Sequence, residues 1–264
     1  MKRLVCIFLS FLLCASAWGA VELTTDLDYL TVADSASLDI TDALTVLVRI
    51  TILDRLPLQG ILSKGRQYTG AGDIQGPYAI GIYAKDWYAQ VGDGTAAVTA
   101  TATAANDSAL AEYHDLVLRF DGSTVKIYED GVEFASAAAV FTLGTNALPV
   151  FIGCGGNANS GNPDYALQGG TIHEVAIWNI ALDVPEIQQL SSGKIRGLPL
   201  QVQSANLKLY LPLDEHPNQT GINNLVFKDL SGNGNDGTGV DIDDDSTVIG
   251  ETVLSYPSRP IMSN

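Results

Sequence analysis

This sequence is poor in cysteine, in positive charge and in long apolar runs. It has 3 Cys in 264 residues, and 14 Lys and Arg against 30 Asp and Glu. The shortage of cations sets the formal net charge at −16 and the pI near 4.3. A chain this acidic repels phosphate unless it carries a local basic stripe, and no run of Lys or Arg occurs. Nucleic acid and anionic membrane surfaces are excluded on that ground. Cations, neutral polymers and basic partners remain.

One apolar run stands out, at the N-terminus. Lys2 and Arg3 precede Leu4 to Leu13, and Ala15-Ser16-Ala17 and Gly19-Ala20 follow. A charged start, a short apolar stretch and small residues are the pattern of a secretory leader, too short to span a bilayer. Residues 1–20 are therefore read as a signal peptide, with cleavage after Ala17, Gly19 or Ala20. A lipoprotein leader ending at Cys14 is the rival, but Leu13 is bulky where such leaders need a small residue. No membrane insertion is expected elsewhere. Removing the leader leaves 12 basic against 30 acidic side chains, a formal charge of −18. It also leaves Cys154 alone, so no internal disulfide framework is available. Cys154 reads as a small buried apolar residue. With 46% apolar residues the chain is no acidic disordered tail, and its length suffices for a sizeable core.

Leu44 to Ile52 alternates and is β-branched. Gly60 to Lys64, Tyr78 to Tyr83, Trp87 to Val91, Ala96 to Thr103, His114 to Phe120 and Thr124 to Tyr128 read as further short strands. So do Pro149 to Ile152, Thr171 to Trp178, Leu207 to Leu213 and Leu225 to Lys228. Asp93-Gly94, Asp121-Gly122 and Asp130-Gly131 supply turns between them. One helix is expected, over Asp183 to Leu190, with Asp183 and Glu186 forming a capping box. Many short strands with frequent turns predict an all-β sandwich.

Three segments carry a resemblance. They are Phe120-Asp-Gly-Ser-Thr-Val-Lys-Ile-Tyr-Glu-Asp-Gly-Val132, Gly170-Thr-Ile-His-Glu-Val-Ala-Ile-Trp178 running on to Ile187, and Tyr210 to Glu215 followed by Asp229-Leu-Ser-Gly-Asn-Gly-Asn-Asp-Gly-Thr238. Their succession resembles the laminin-G-like and pentraxin-like branch of the concanavalin A-like lectin/glucanase superfamily. The resemblance implies a two-sheet antiparallel jelly-roll β-sandwich with one short helix, over residues 21–238. It leaves 239–264 as an acidic C-terminal tail. The third segment usually opens such domains and here closes the chain. It either completes the sandwich or begins a second, truncated domain.

The resemblance also implies calcium at one rim. Hard cations take clustered oxygens from Asp, Asn and carbonyls. Two loops offer them: Asn162 and Asp164 within 153–170, and Asp229, Asn233 and Asp236 within 229–238. The second loop echoes the start of an EF-hand, but Val240 stands where the bidentate Glu would be. His173 stands where many relatives have Asp, which counts against a rim metal.

Sugar rings pack on aromatic faces while their hydroxyls pair with Asn, Asp and Gln. Tyr165, Asn157 and Asn159 share the first loop, and Trp87 and Tyr88 lie in an aromatic cluster. Strand alternation puts Trp87 and Tyr88 on opposite faces, so only one can meet a ligand. Glu129 and Glu133 flank a turn and are expected to be solvated. His173 and Glu174 are expected on opposite faces. No Glu-x-Asp-x-Glu cluster, nucleophile elbow or phosphate loop is present.

The expected function is that of a secreted, non-catalytic, lectin-like module binding a glycan or an extracellular protein. One alternative is an adhesive or structural surface component, acting as an oligomer. A second is a glycoside hydrolase or lyase with an atypical site, which requires two close carboxylates in a groove.

Overall fold

The computed structural model describes residues 19–24, 28–53, 56–65, 76–102, 112–156, 163–192, 198–216, 218–241 and 247–249. Its strands, in chain order, begin with β1 (Ala20–Leu23), β2 (Tyr29–Val32), β3 (Leu44–Ile52), β4 (Leu58–Lys64), β5 (Tyr78–Tyr83) and β6 (Asp86–Gly92). Then come β7 (Ala97–Ala102), β8 (Tyr113–Phe120), β9 (Thr124–Glu129), β10 (Val132–Ala138), β11 (Val150–Ile152), β12 (Gly155–Gly156) and β13 (Pro163–Asp164). After β14 (Gly170–Trp178) and the helix α1 (Val184–Ser191), the chain adds β15 (Leu207–Leu211), β16 (Val226–Phe227), β17 (Gly237–Val240) and β18 (Thr247–Ile249).

Two antiparallel eight-stranded sheets result. The first runs β10-β9-β8-β3-β14-β1-β18, with β15 also on β14; the second runs β16-β17-β2-β11-β4-β5-β6-β7. The expected jelly-roll sandwich is what forms. Alternation explains it. In β3, Val46, Val48 and Ile50 point between the sheets, while Leu47 and Arg49 point outward. The Asp130-Gly131 turn takes φ of 49° and 80°, the left-handed pair that a two-residue hairpin needs.

The last strands are not a second domain. β15 joins the first sheet and β17 pairs with β2 in the second. Strand pairing also reaches beyond residue 238, since β18 pairs with β1. Asp241 is buried and accepts the Ile222 N–H at 3.1 Å. Within the segment expected as the tail, residues 239–240 and 247–249 thus pair with the sheets, and Asp243, Asp244 and Asp245 lie outside the described residues.

The helix covers the outer face of the first sheet. Asp183 Oδ1 accepts from Glu186 N at 2.8 Å and Glu186 Oε2 accepts from Asp183 N at 2.8 Å, which fixes its start. Ile187 and Leu190 then bury against Leu47, Val117, Tyr128, Trp178 and Tyr210. Trp178 is buried there rather than between the sheets, and its indole N–H donates to the Val202 carbonyl at 2.9 Å.

Candidate functional site: the outer face of the second sheet

Trp87 and Tyr88 separate as alternation requires. Trp87 is 1% exposed, lies in the core between the sheets, and donates its indole N–H to Glu129 Oε1 at 3.0 Å. Trp87 is therefore no ligand platform; packing against the facing sheet claims its ring. Tyr88 faces the other way. Its ring lies across β5 at Gly81, where a Cβ would stand 2.7 Å from the Tyr88 hydroxyl and 2.8 Å from its ring. Only a glycine leaves that space.

The Tyr88 hydroxyl is buried and, among the described residues, has no hydrogen-bond partner. Burial pushes its pKa well above the usual 10, so the phenol stays neutral, one donor with acceptor capacity. The Tyr88 side chain lines a cleft of about 110 Å³ with Tyr83, Gln90, Thr99 and Thr101, while its hydroxyl stays buried over Gly81. Tyr83 is 50% exposed and offers the cleft an accessible ring. Gln90 Nε2 donates to Thr99 Oγ1 at 3.1 Å, which leaves the threonine's own proton to donate. A larger cleft of about 300 Å³ lies elsewhere, between Ala36–Asp42 and Asn179 and Lys208, but no aromatic ring lines it.

The 163–168 segment occupies the same face. Ala166 packs with Phe151, Cys154 and Tyr29. Gly60 donates to the Tyr165 carbonyl at 2.5 Å. Gly60 pairs with Gly81, Gly81 with Tyr88, and Tyr88 with Thr101. Tyr165, half-buried at φ 53°, is thus tied to the row of residues that ends in the cleft. Asp164 pairs through its backbone with Gly155 in the β12–β13 ladder. Asn157, Asn159 and Asn162 lie outside the described residues.

In the 229–236 loop the candidate oxygens already accept hydrogen bonds. Asp229 Oδ1 accepts from Tyr210 N and Ser231 N, both at 2.9 Å; its Oδ2 accepts from Ser231 Oγ at 2.8 Å and Asn235 N at 2.9 Å. Asn233 Nδ2 donates to the Leu207 carbonyl at 2.9 Å. Asp236 accepts from Asp229 N at 3.0 Å and Lys228 Nζ at 2.6 Å. Hydrogens point at the oxygens a metal would need, so these side chains close a turn. Among the described residues no group of three or more His, Cys, Asp or Glu side chains is placed to hold a metal.

Carboxylates do meet elsewhere, but inside the protein. Arg49 lies 3.2 Å from Asp115 and 3.1 Å from Glu174, all with side chains at 0% exposure, and it donates to the Leu190 carbonyl at the end of α1. A single arginine in an apolar strand was the available sequence signal for this cluster. Glu129 is buried rather than solvated, 3.1 Å from His114 Nδ1, because Trp87 and β8 enclose it. Glu133 remains near the surface and pairs with Lys126 at 2.7 Å. A bulge at His173 overturns the expected opposition of His173 and Glu174. Glu174 meets Arg49 and His173 meets Thr51 at 2.9 Å, on one face.

Comparison with known proteins agrees with this architecture. Residues 24–188, more than half of the chain, match a family described as the concanavalin A-like lectin/glucanases superfamily, and the chain belongs to it. It is similar to a candidate carbohydrate-binding protein from Bacteroides ovatus, with TM-score 0.60 and 19% identity over 88% of this chain. The match spans 60% of that protein's length. It is also similar to the CBM40 module of a Ruminococcus gnavus sialidase, with TM-score 0.52 and 18% identity over 65% of this chain and 96% of that module. Domains LG4-5 of mouse laminin α1 give TM-score 0.48 and 16% identity over 63% of this chain and 44% of theirs. Among curated proteins, none matches.

Proposed function

We propose that this protein is an exported, non-catalytic carbohydrate-binding module whose sugar contact is the Tyr83–Tyr88 cleft. The carrying observation is the cleft itself, which sets the exposed Tyr83 ring and the Tyr88 side chain beside Gln90, Thr99 and Thr101. Tyr83 supplies a ring for the apolar face of a pyranose, while Thr99, Thr101 and Gln90 supply polar edges. The carbohydrate-binding relatives that share the fold support the same class.

Calcium enters this reading only at the 153–170 loop, through Asn162 and Asp164. The 229–236 loop is left out, because its carboxylates already hold N–H and O–H donors. Glycan-array binding with and without chelator tests the proposal. Binding that Tyr83→Ala reduces about tenfold or more is the expected result. Failure to bind any glycan under either condition would overturn it.

A further inference from the structure

We infer that the cleft selects an uncharged sugar ring and rejects anionic saccharides; this rests on the carbohydrate reading above. The lining is Tyr83, Tyr88, Gln90, Thr99 and Thr101, so no cation stands among the described residues that form it. Lys85 lies in the hairpin turn after Tyr83 and is not part of the lining. A carboxylate or sulfate moved into this space would leave water with no counter-charge to meet it, and burying an unpaired charge is strongly unfavourable. The chain's formal charge of −16 adds repulsion of the same sign.

What the lining does offer suits hydroxyls. The Thr99 hydroxyl accepts from Gln90 Nε2 and keeps its own proton to donate, and Thr101 adds an exposed hydroxyl beside it. The volume of about 110 Å³ is well below the ~300 Å³ at which drug-sized pockets begin, which limits the buried part of the ligand to about one ring. The sialidase module with the same fold supports carbohydrate as the class and, at 18% identity, carries nothing about the charge of the sugar bound here.

The test uses the full chain and matched oligosaccharide pairs, each a neutral glycan and its sialylated, sulfated or uronate counterpart on one scaffold. Neutral members are expected to bind, with anionic counterparts weaker by about tenfold or more. Neutral affinity should be insensitive to salt, because no ion pair forms. Thr101→Lys, at an exposed wall position, should raise affinity for the anionic member of a pair. Equal or tighter binding of the anionic members to the unaltered protein would overturn the inference and leave the carbohydrate reading standing. No binding of any glycan, neutral or anionic, would overturn the carbohydrate reading itself.

Discussion

The indole N–H of Trp87 and the carboxylate of Glu129 meet at 3.0 Å across the sandwich, joining β6 of one sheet to β9 of the other. The same oxygen, Glu129 Oε1, lies 3.1 Å from His114 Nδ1, and Asp130 Oδ2 lies 3.5 Å from that nitrogen. Asp130 and Glu129 together raise the His114 pKa from 6.5 to about 9. A folded-state pKa above the unfolded one contributes stability that is complete below the unfolded value and is lost as pH rises through the folded value. This component is therefore present below about pH 6.5 and fades as pH passes about 9. Urea midpoints measured across that window should fall with pH, and Glu129→Gln should flatten the fall. An unchanged slope in the variant would refute the pairing.

Arg49 makes the stronger demand on the fold. Arg49→Met removes the guanidinium that lies against both Asp115 and Glu174 and leaves two buried carboxylates without it. Breaking a buried charge pair in this way costs about 3–5 kcal/mol. The loss should be read in urea unfolding. The triple change Arg49→Met, Asp115→Asn, Glu174→Gln should recover part of it, because no buried charge is then left uncompensated.

Tyr88→Phe separates the hydroxyl from the ring. Deleting a buried hydroxyl that has no partner among the described residues should leave stability unchanged or raise it by up to about 1 kcal/mol. The same change should leave neutral-glycan affinity within about threefold, since the ring that lines the cleft is kept. Thermal melts and calorimetric titration measure the two sides. A destabilised Tyr88→Phe protein would show that the hydroxyl is structural.

Asp229→Ala should lower stability by about 1–3 kcal/mol, since it orphans the N–H groups of Tyr210, Ser231 and Asn235 together. The drop should be equal in calcium and in chelator. A drop seen only in calcium would restore the cation reading of this loop.

The proposed leader has three candidate cut sites, and one of them would cut into the fold. Ala20 is buried in β1 and pairs with Ile249. Cleavage after Ala20 would remove that strand's first residue, whereas cleavage after Ala17 or Gly19 leaves it whole. Intact-mass measurement of exported protein should give a chain beginning at Trp18 or Ala20 and not at Val21.

Local physics made much of this readable in advance. Alternating β-branched residues mark β3 from Leu44 to Ile52, Asp130-Gly131 supplies its own positive φ, and Asp183 with Glu186 starts α1 within a single turn. Each depends on neighbours in the chain. The candidate site was half legible, since alternation required Trp87 and Tyr88 to part but could not say which faced the core. That choice belongs to the facing sheet, through Glu129. Tertiary structure alone also decided the bulge that puts His173 beside Glu174, the four donors that occupy Asp229, and the placing of β15 and β17 in different sheets. These depend on partners far away in sequence, and a one-residue shift in pairing exchanges the two faces of a strand. The sequence determined that a sandwich forms; the pairing register determined which of its residues remain open to a ligand.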